Sequence, residues 1–218
     1  MPKFYDLTQP IYHGCPGWPT YPPVVSTRNY RRAVDGFNAE TLTFNTHTGT
    51  HIDVPYHFYD EGDTIEKLPL EKFAGTAVFL DLRGVVKADT PINEDIIKPF
   101  KDRIDPGDMV LMNTGWSAKR DITEDFLFHW PYVDGSGADF LISLGVKAVG
   151  LDGLSVGGWG AEKARPCHLK LLAQKIVLIE EIFFPEEVMD GKKRFVTAFP
   201  LLLPGHGGSP VRLVAIEF

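Results

Sequence analysis

Apolar residues along this chain gather in short runs and not in long helical stripes. Residues 77–82, 109–113, 146–151, 176–180, 195–203 and 211–218 each carry apolar side chains at successive positions, the pattern of strands covered on both faces. Phe4-Tyr5-Asp6-Leu7-Thr8 reads as an edge strand. Beyond it, Pro10, Pro16, Pro19, Pro22 and Pro23 forbid regular structure, so that stretch is an extended arm or loop. Helices are fewer and short. One is expected after Thr90 with Pro91 at its first position. Another is expected after Ser136, where Ser136-Gly137-Ala138-Asp139 has capping-box form ahead of Phe140, Leu141 and Leu144, with Gly145 as its stop. A third helical stretch, 169–174, precedes the run 176–180. Helix followed by strand, repeated, predicts one α/β domain over residues 1–218, with a mixed β-sheet or barrel-like β core flanked by short helices.

Composition narrows the class further. With 44% hydrophobic and 23% charged residues the chain has an ordinary globular make-up, and its 21 glycines and 17 prolines fit a fold rich in turns. The longest apolar runs fall far short of the roughly 18 residues a membrane helix needs, and no cationic stretch followed by an apolar one opens the chain. A soluble, unprocessed protein is expected. The formal charge of −7, without a long single-sign run, argues against nucleic-acid or anionic-membrane partners. Cys15 and Cys167 cannot make a disulfide framework; a cytoplasmic location follows, with a single bridge left open.

The chemistry concentrates in His47-Thr48-Gly49-Thr50-His51-Ile52-Asp53-Val54-Pro55-Tyr56-His57. The threonines, Ile52 and Val54 favour extended backbone, while Gly49 and Pro55 oppose a helix. In a strand, positions 47, 51, 53 and 57 share parity and face one side. His51 and Asp53 then stand roughly 6–7 Å apart at their backbones, a spacing from which both can reach one ion. His47, about 13 Å away if fully extended, joins them only if the chain bends at Gly49. Two imidazoles and a carboxylate suit Zn²⁺, Mn²⁺ or Fe²⁺, and three protein ligands leave room for water, as in a catalytic site. Separate surface or core histidines, or a structural zinc, are the blander readings; the crowding, and a chain long enough to fold without a metal staple, disfavour them.

This segment resembles the His-x-Gly-Thr-His-x-Asp-x-Pro-x-His signature of the cyclase-like metal-dependent hydrolases, the kynurenine formamidase and isatin hydrolase type. The resemblance continues through Asn113-Thr114-Gly115-Trp116, the stretch 145–152, His168, Ile179-Glu180 and Gly208-Ser209-Pro210-Val211-Arg212, and so covers nearly the whole chain. It implies that His47, His51 and Asp53 bind metal, that His57 is the catalytic acid or base, and that His168 and Glu180 complete a second metal site with Asp53 bridging. One or two ions per subunit follow, zinc first and manganese as the alternative. Glu181 competes with Glu180 for the ligand position, and the spacing from His168 favours Glu180.

Such a site has a clear use. A divalent cation lowers the pKa of bound water to as low as about 7 and polarises a carbonyl oxygen, and an amide nitrogen leaves only when protonated, which calls for a group titrating near neutrality. His57, set beyond Pro55, is the candidate shuttle; a further metal ligand is its other reading. The resemblance also implies an aromatic side chain over the substrate ring, and here Tyr21, in Pro19-Thr20-Tyr21-Pro22-Pro23, takes that place, with Trp18 as the neighbouring alternative. Pro23 stands where the kynurenine-type pattern has glycine. Gly153-Leu154-Ser155-Val156-Gly157-Gly158 lacks the Gly-Lys-Ser/Thr ending of a phosphate loop, and Ser155 lacks a nucleophile elbow. His13, His129 and His206 read as surface residues. The expected function is metal-dependent hydrolysis of an aryl-formamide or a lactam-like amide of small size. Lactone or imide hydrolysis, a cyclisation, and a non-catalytic metal or ligand binder are the rivals. The resemblance further implies a homodimer or higher homo-oligomer.

Overall fold

In the computed structural model, which describes residues 1–218 in full, the chain forms thirteen strands and five short helices. The strands are β1 (Lys3–Asp6), β2 (Val25–Tyr30), β3 (Ala39–Thr43), β4 (His51–Asp53), β5 (Ala74–Asp81), β6 (Pro91–Ile92), β7 (Met109–Asn113), β8 (Tyr132–Val133), β9 (Ala148–Leu151), β10 (Val177–Glu180), β11 (Arg194–Thr197), β12 (Gly208–Pro210) and β13 (Val214–Glu217). The helices are α1 (Arg32–Asp35), α2 (Glu94–Ile97), α3 (Glu124–Phe128), α4 (Gly135–Ser143) and α5 (Ala161–Ala173). Nine strands make one mixed sheet in the order β1-β13-β11-β5-β7-β9-β10-β4-β12. Its centre, β5-β7-β9-β10, is parallel, and the flanking pairs are antiparallel.

Burial on both faces explains the unbroken apolar runs. Along β5, β7 and β10 alternate side chains go to two cores: Val78, Leu80, Val110, Met112 and Leu178 pack outward under the helices with Ile97, Leu141 and Leu171. Ala77, Phe79, Met109, Leu111, Val177 and Ile179 pack inward with Ile52, Val196 and Ala215. The inner core is enclosed because the sheet curls. The chain leaving β1 meets the chain leaving β10, where Leu7 accepts from the Phe183 amide at 2.9 Å and Thr8 bridges to Ile182. This half-barrel matches the expected mixed, barrel-like α/β architecture. A separate hairpin, β2–β3, lies outside the main sheet, and no helix is long and apolar enough to cross a membrane.

Several boundaries differ from the sequence expectation, for local reasons. Pro91 does not open a helix: it starts the two-residue strand β6, paired with β8, and the helix begins one turn later, where the Asn93 side chain accepts from the Ile96 amide. Ser136 is not a cap either. Asp134 caps α4, its carboxylate accepting from the amides of Ser136 and Gly137; a carboxylate does this at a helix start as well as serine does. The run 195–203 stops as a strand at Thr197, ahead of Pro200, and 211–218 contributes only β13. The helix expected over 169–174 begins at Ala161 and carries Pro166 inside it. A proline there removes one backbone donor and normally ends a helix, and Gly160 at its start provides no side-chain cap, so no local signal marks the earlier start.

Candidate metal centre and its cavity

Strand register puts the acidic residues of this site together. β10 pairs antiparallel with β4 so that Glu180 lies opposite His51 and Leu178 opposite Asp53. Since Ile52 and Ile179 point into the inner core, strand alternation sends His51, Asp53 and Glu180 to the outer face. α5 covers that face and brings His168 from above. The site therefore sits at the carboxyl ends of β9 and β10, where open α/β sheets place their ligand crevices.

The remaining two histidines arrive on turns. Gly49 has φ +62, a left-handed conformation that folds the chain back and carries His47 to Asp53, with Nδ1 2.7 Å from Oδ1. The expected bend is there. His57 closes a 3₁₀ turn opened by Pro55, which lifts it off the strand and leaves Nε2 3.6 Å from the Asp53 Oδ2; its ring stacks on that of His47 at 3.9 Å. Behind them β12 runs beside β4, with Gly208 opposite Asp53. A Cβ on Gly208 would lie 2.4 Å from the His47 ring, so only glycine lets this strand back the site.

His51 Nε2 is 3.2 Å from the Glu180 Oε2 and 3.5 Å from the Asp53 Oδ1. His168 Nε2 is 3.3 Å from the Glu180 Oε1 and 3.8 Å from the Asp53 Oδ2. Both rings are oriented from behind: His51 Nδ1 lies 2.8 Å from the Gly49 carbonyl and His168 Nδ1 2.8 Å from the Ala164 carbonyl. Each Nδ1–H donates to its carbonyl, so each Nε2 faces the carboxylates as the donor atom for an ion. Two groups of three ligand atoms result, His47-His51-Asp53 and Asp53-His168-Glu180, and Asp53 is common to both. Glu181 is not among them. Its φ of +51 turns its side chain away, onto Arg120, with Arg120 Nε 3.1 Å from the carboxylate.

Two buried carboxylates need a positive charge. Burial opposes charge on both of them. The imidazoles of His57, His47 and His51 nevertheless hold the Asp53 carboxyl far below the usual carboxylate range, and the His168 and His51 imidazoles hold that of Glu180 down against burial and the Asp53 charge. Burial likewise opposes a charged His51, but the neighbouring Glu180 and Asp53 carboxylates raise it to about 9. His168 is raised well above the usual imidazole value against the same burial, by Cys167 and Glu180. His51 Nε2 and Asp53 Oδ2 still lack a hydrogen-bond partner although fully buried. Imidazole nitrogens and carboxylate oxygens left without donors or acceptors of their own fit a divalent ion of borderline hardness.

The site opens into a cavity of about 220 Å³, smaller than pockets that take drug-sized ligands. Trp18 and Tyr21 of the proline arm form one wall and Phe58 another. Phe58 stacks on His168 at 4.5 Å, while Trp18 is wedged between Trp130 and Trp159 at 5.9 and 4.9 Å. Both arm aromatics singled out from sequence therefore reach the site. Sequence reasoning missed Ser155, whose hydroxyl donates to the Glu180 Oε1 at 3.0 Å beside the Val156 amide at 2.7 Å. A serine in a glycine-rich loop carries no signal for that role. His13 and His206 are exposed and His129 pairs with Asp89, all away from the site; both cysteines are free.

Comparison with known proteins gives a consistent picture. The family described as "Putative cyclase" matches residues 5–157. A kynurenine formamidase from Geobacillus thermodenitrificans (strain NG80-2) is 30% identical over 214 residues, covering 97% of this chain and 96% of that protein. Among solved structures, one described as "potential metal-dependent hydrolase with cyclase activity" is 27% identical with a TM-score of 0.82, covering 100% of this chain and 99% of that one. Isatin hydrolase A from Ralstonia solanacearum shares the fold at a TM-score of 0.89 and 23% identity, over 100% of this chain and 92% of that one.

The charge balance makes a prediction. The neighbouring carboxylates favour a protonated His51 ring in the metal-free chain, and ligation needs its nitrogen free. Binding Zn²⁺ should release at least one proton near pH 7, and affinity should climb with pH toward about 9, the raised His51 value. Titration calorimetry in buffers of different ionisation enthalpy reads this release; uptake, or no exchange at all, would contradict it.

Proposed function

This chain belongs to the cyclase family, and from that membership and the geometry of its site we propose that it is a metal-dependent hydrolase cleaving a small amide: an aryl-formamide such as N-formylkynurenine, or a lactam. The observation that carries this reading is the junction of Asp53 and Glu180 with His47, His51 and His168 at the floor of a small aromatic-walled cavity. These five residues are the proposed ligands, for one or two ions, zinc first and manganese as the alternative. A divalent ion held there supplies Lewis-acid polarisation of the carbonyl and acidification of water.

The protein's own groups supply the rest. Trp18, Tyr21 and Phe58 bind a flat substrate and exclude bulk water, which strengthens every charge interaction at the cavity floor. His57 works as the proton shuttle. Burial pushes its pKa down, to about 4, below the near-neutral value expected from sequence, with the His47 and His168 charges adding to this and the Asp53 charge opposing it, so at neutral pH the ring is an uncharged base. Its Nε2 accepts the proton given up by the attacking water as oxygen joins the carbonyl carbon, then hands it to the amide nitrogen as the C–N bond breaks. The products are a carboxylic acid and an amine. Asp53 keeps the transient imidazolium favourable from 3.6 Å.

A homodimer or higher homo-oligomer belongs to the same reading, supported by the exposed Tyr30, Val34, Phe37 and Leu42 of the β2–β3 hairpin and its connection, too many apolar groups for one lone hairpin. Light scattering should return at least twice the chain mass, and a monomer at working concentration would remove this part.

A turnover screen of N-formylkynurenine, isatin, lactones and cyclic imides, with and without Zn²⁺ and Mn²⁺, tests the reaction: amide or lactam cleavage that depends on the ion is expected. Preference for lactones or imides would move the substrate class, and no metal-dependent turnover would favour a binding protein. His57→Ala should lower kcat by about 10²- to 10⁴-fold with metal content unchanged by elemental analysis. Loss of metal in that variant would make His57 a ligand.

A further inference from the structure

The proline arm is not held by its own structure. Between Pro10 and Val24 it forms no helix and no strand, and its internal backbone bonds are few, such as Gly14 to Val24 and Tyr21 to Trp18. Yet Trp18 and Tyr21 from this arm wall the site cavity on one side and a second cavity of about 300 Å³ on the other, so any shift of the arm changes the shape of both.

One buried ion pair connects the arm to the ligand strand. Arg120 lies beyond the 3₁₀ turn Trp116–Lys119, and its side chain and that of Glu181 are only 7% and 2% exposed. The guanidinium Nη2 donates to the Pro16 carbonyl at 3.4 Å, and the group lies 5.9 Å from the Tyr12 ring centre. On the strand side, the Glu181 amide donates to the Gly153 carbonyl at 2.9 Å. Its carbonyl accepts from the Thr50 hydroxyl at 2.5 Å, and that oxygen accepts from the Gln9 amide at 2.7 Å. Thr50 precedes His51 and Glu181 follows Glu180. A planar guanidinium can hold a carboxylate and a carbonyl at once in fixed directions, as an ammonium cannot, and a desolvated pair of this kind is costly to break on one side only.

We propose that Arg120 and Glu181 are positioning residues: together they clamp the proline arm to the end of β10, and so set how tightly the cavity binds substrate without either one touching substrate or ion. The kinetic part of this inference rests on the proposed hydrolase reading. Its structural part does not.

Hydrogen exchange on the metal-loaded protein, followed by mass spectrometry, separates the two. In Arg120→Met the amides of residues 10–24 should exchange about tenfold faster, with those of β7 and β9 unchanged and metal content intact. On whichever substrate the screen identifies, KM should rise about tenfold while kcat stays within about threefold. Arg120→Lys should recover part of both effects. Should Arg120→Met fail to fold, Glu181→Gln, close in shape, carries the same test with a smaller acceleration expected. Unchanged arm exchange in these variants would overturn the clamp whether or not any substrate has been found. A fall in kcat or metal content at constant KM would overturn its role as a positioning device.

Discussion

Two carboxylates buried side by side are the constraint around which this molecule is arranged. Asp53 and Glu180 are 1% and 5% exposed at their side chains, and placing such groups out of water costs several kcal/mol each unless positive charge and hydrogen bonds compensate. The antiparallel register of β4 on β10 fixes the backbones that carry them, and α5 supplies an imidazole from the layer above. Two backbone carbonyls, those of Gly49 and Ala164, fix which ring nitrogens face them. Within the chain itself, His51 Nε2 and Asp53 Oδ2 are left without hydrogen-bond partners. A divalent cation answers that charge with donors already in place, which is why the proposed hydrolase chemistry and the stability of this corner of the sheet are one question.

Around this charged floor the walls are aromatic and close-fitting. Trp18 is wedged against Trp130 and Trp159, and Phe58 against His168. In the proposed reaction such walls would orient a flat substrate and keep water out, and in the resulting low dielectric the proposed proton relay through His57 would gain from the nearby Asp53 charge. The arm that brings Trp18 contributes little order of its own, so its placement depends on the residues that grip it from the body of the fold.

Much of this was legible in the sequence where the signal is local. Shared parity of His51 and Asp53 and a hinge at Gly49 followed from residue types within eleven positions, and the curled sheet keeps both. Choosing Glu180 over Glu181 rested on resemblance and spacing, and its geometric reason, the left-handed backbone at Glu181, is invisible in a string of letters. Parallel strands buried on both faces announced themselves as apolar runs. Helix boundaries fared worse, because competing local groups decide them: Asp134 outcompetes Ser136 as the cap of α4, and Asn93, not the proline at position 91, starts α2. α5 persists through Pro166 because packing of Cys167, His168, Leu171 and Leu172 outweighs one lost backbone bond. Ser155 and Gly208 act through contacts with residues far away in the chain, so the residues beside them do not reveal those roles, although Gly208 belongs to a stretch that carries the family resemblance.

The central claim is that Asp53 and Glu180 are buried to hold a divalent cation among His47, His51 and His168. Anomalous diffraction from crystals grown with Zn²⁺ or Mn²⁺, collected on either side of each absorption edge, tests this directly. The account predicts one or two anomalous peaks touching Asp53, each about 2.0–2.2 Å from its nitrogen and oxygen ligands. A fully metal-loaded crystal whose peaks lie elsewhere, with Asp53 and Glu180 still paired only to protonated imidazoles, would contradict it.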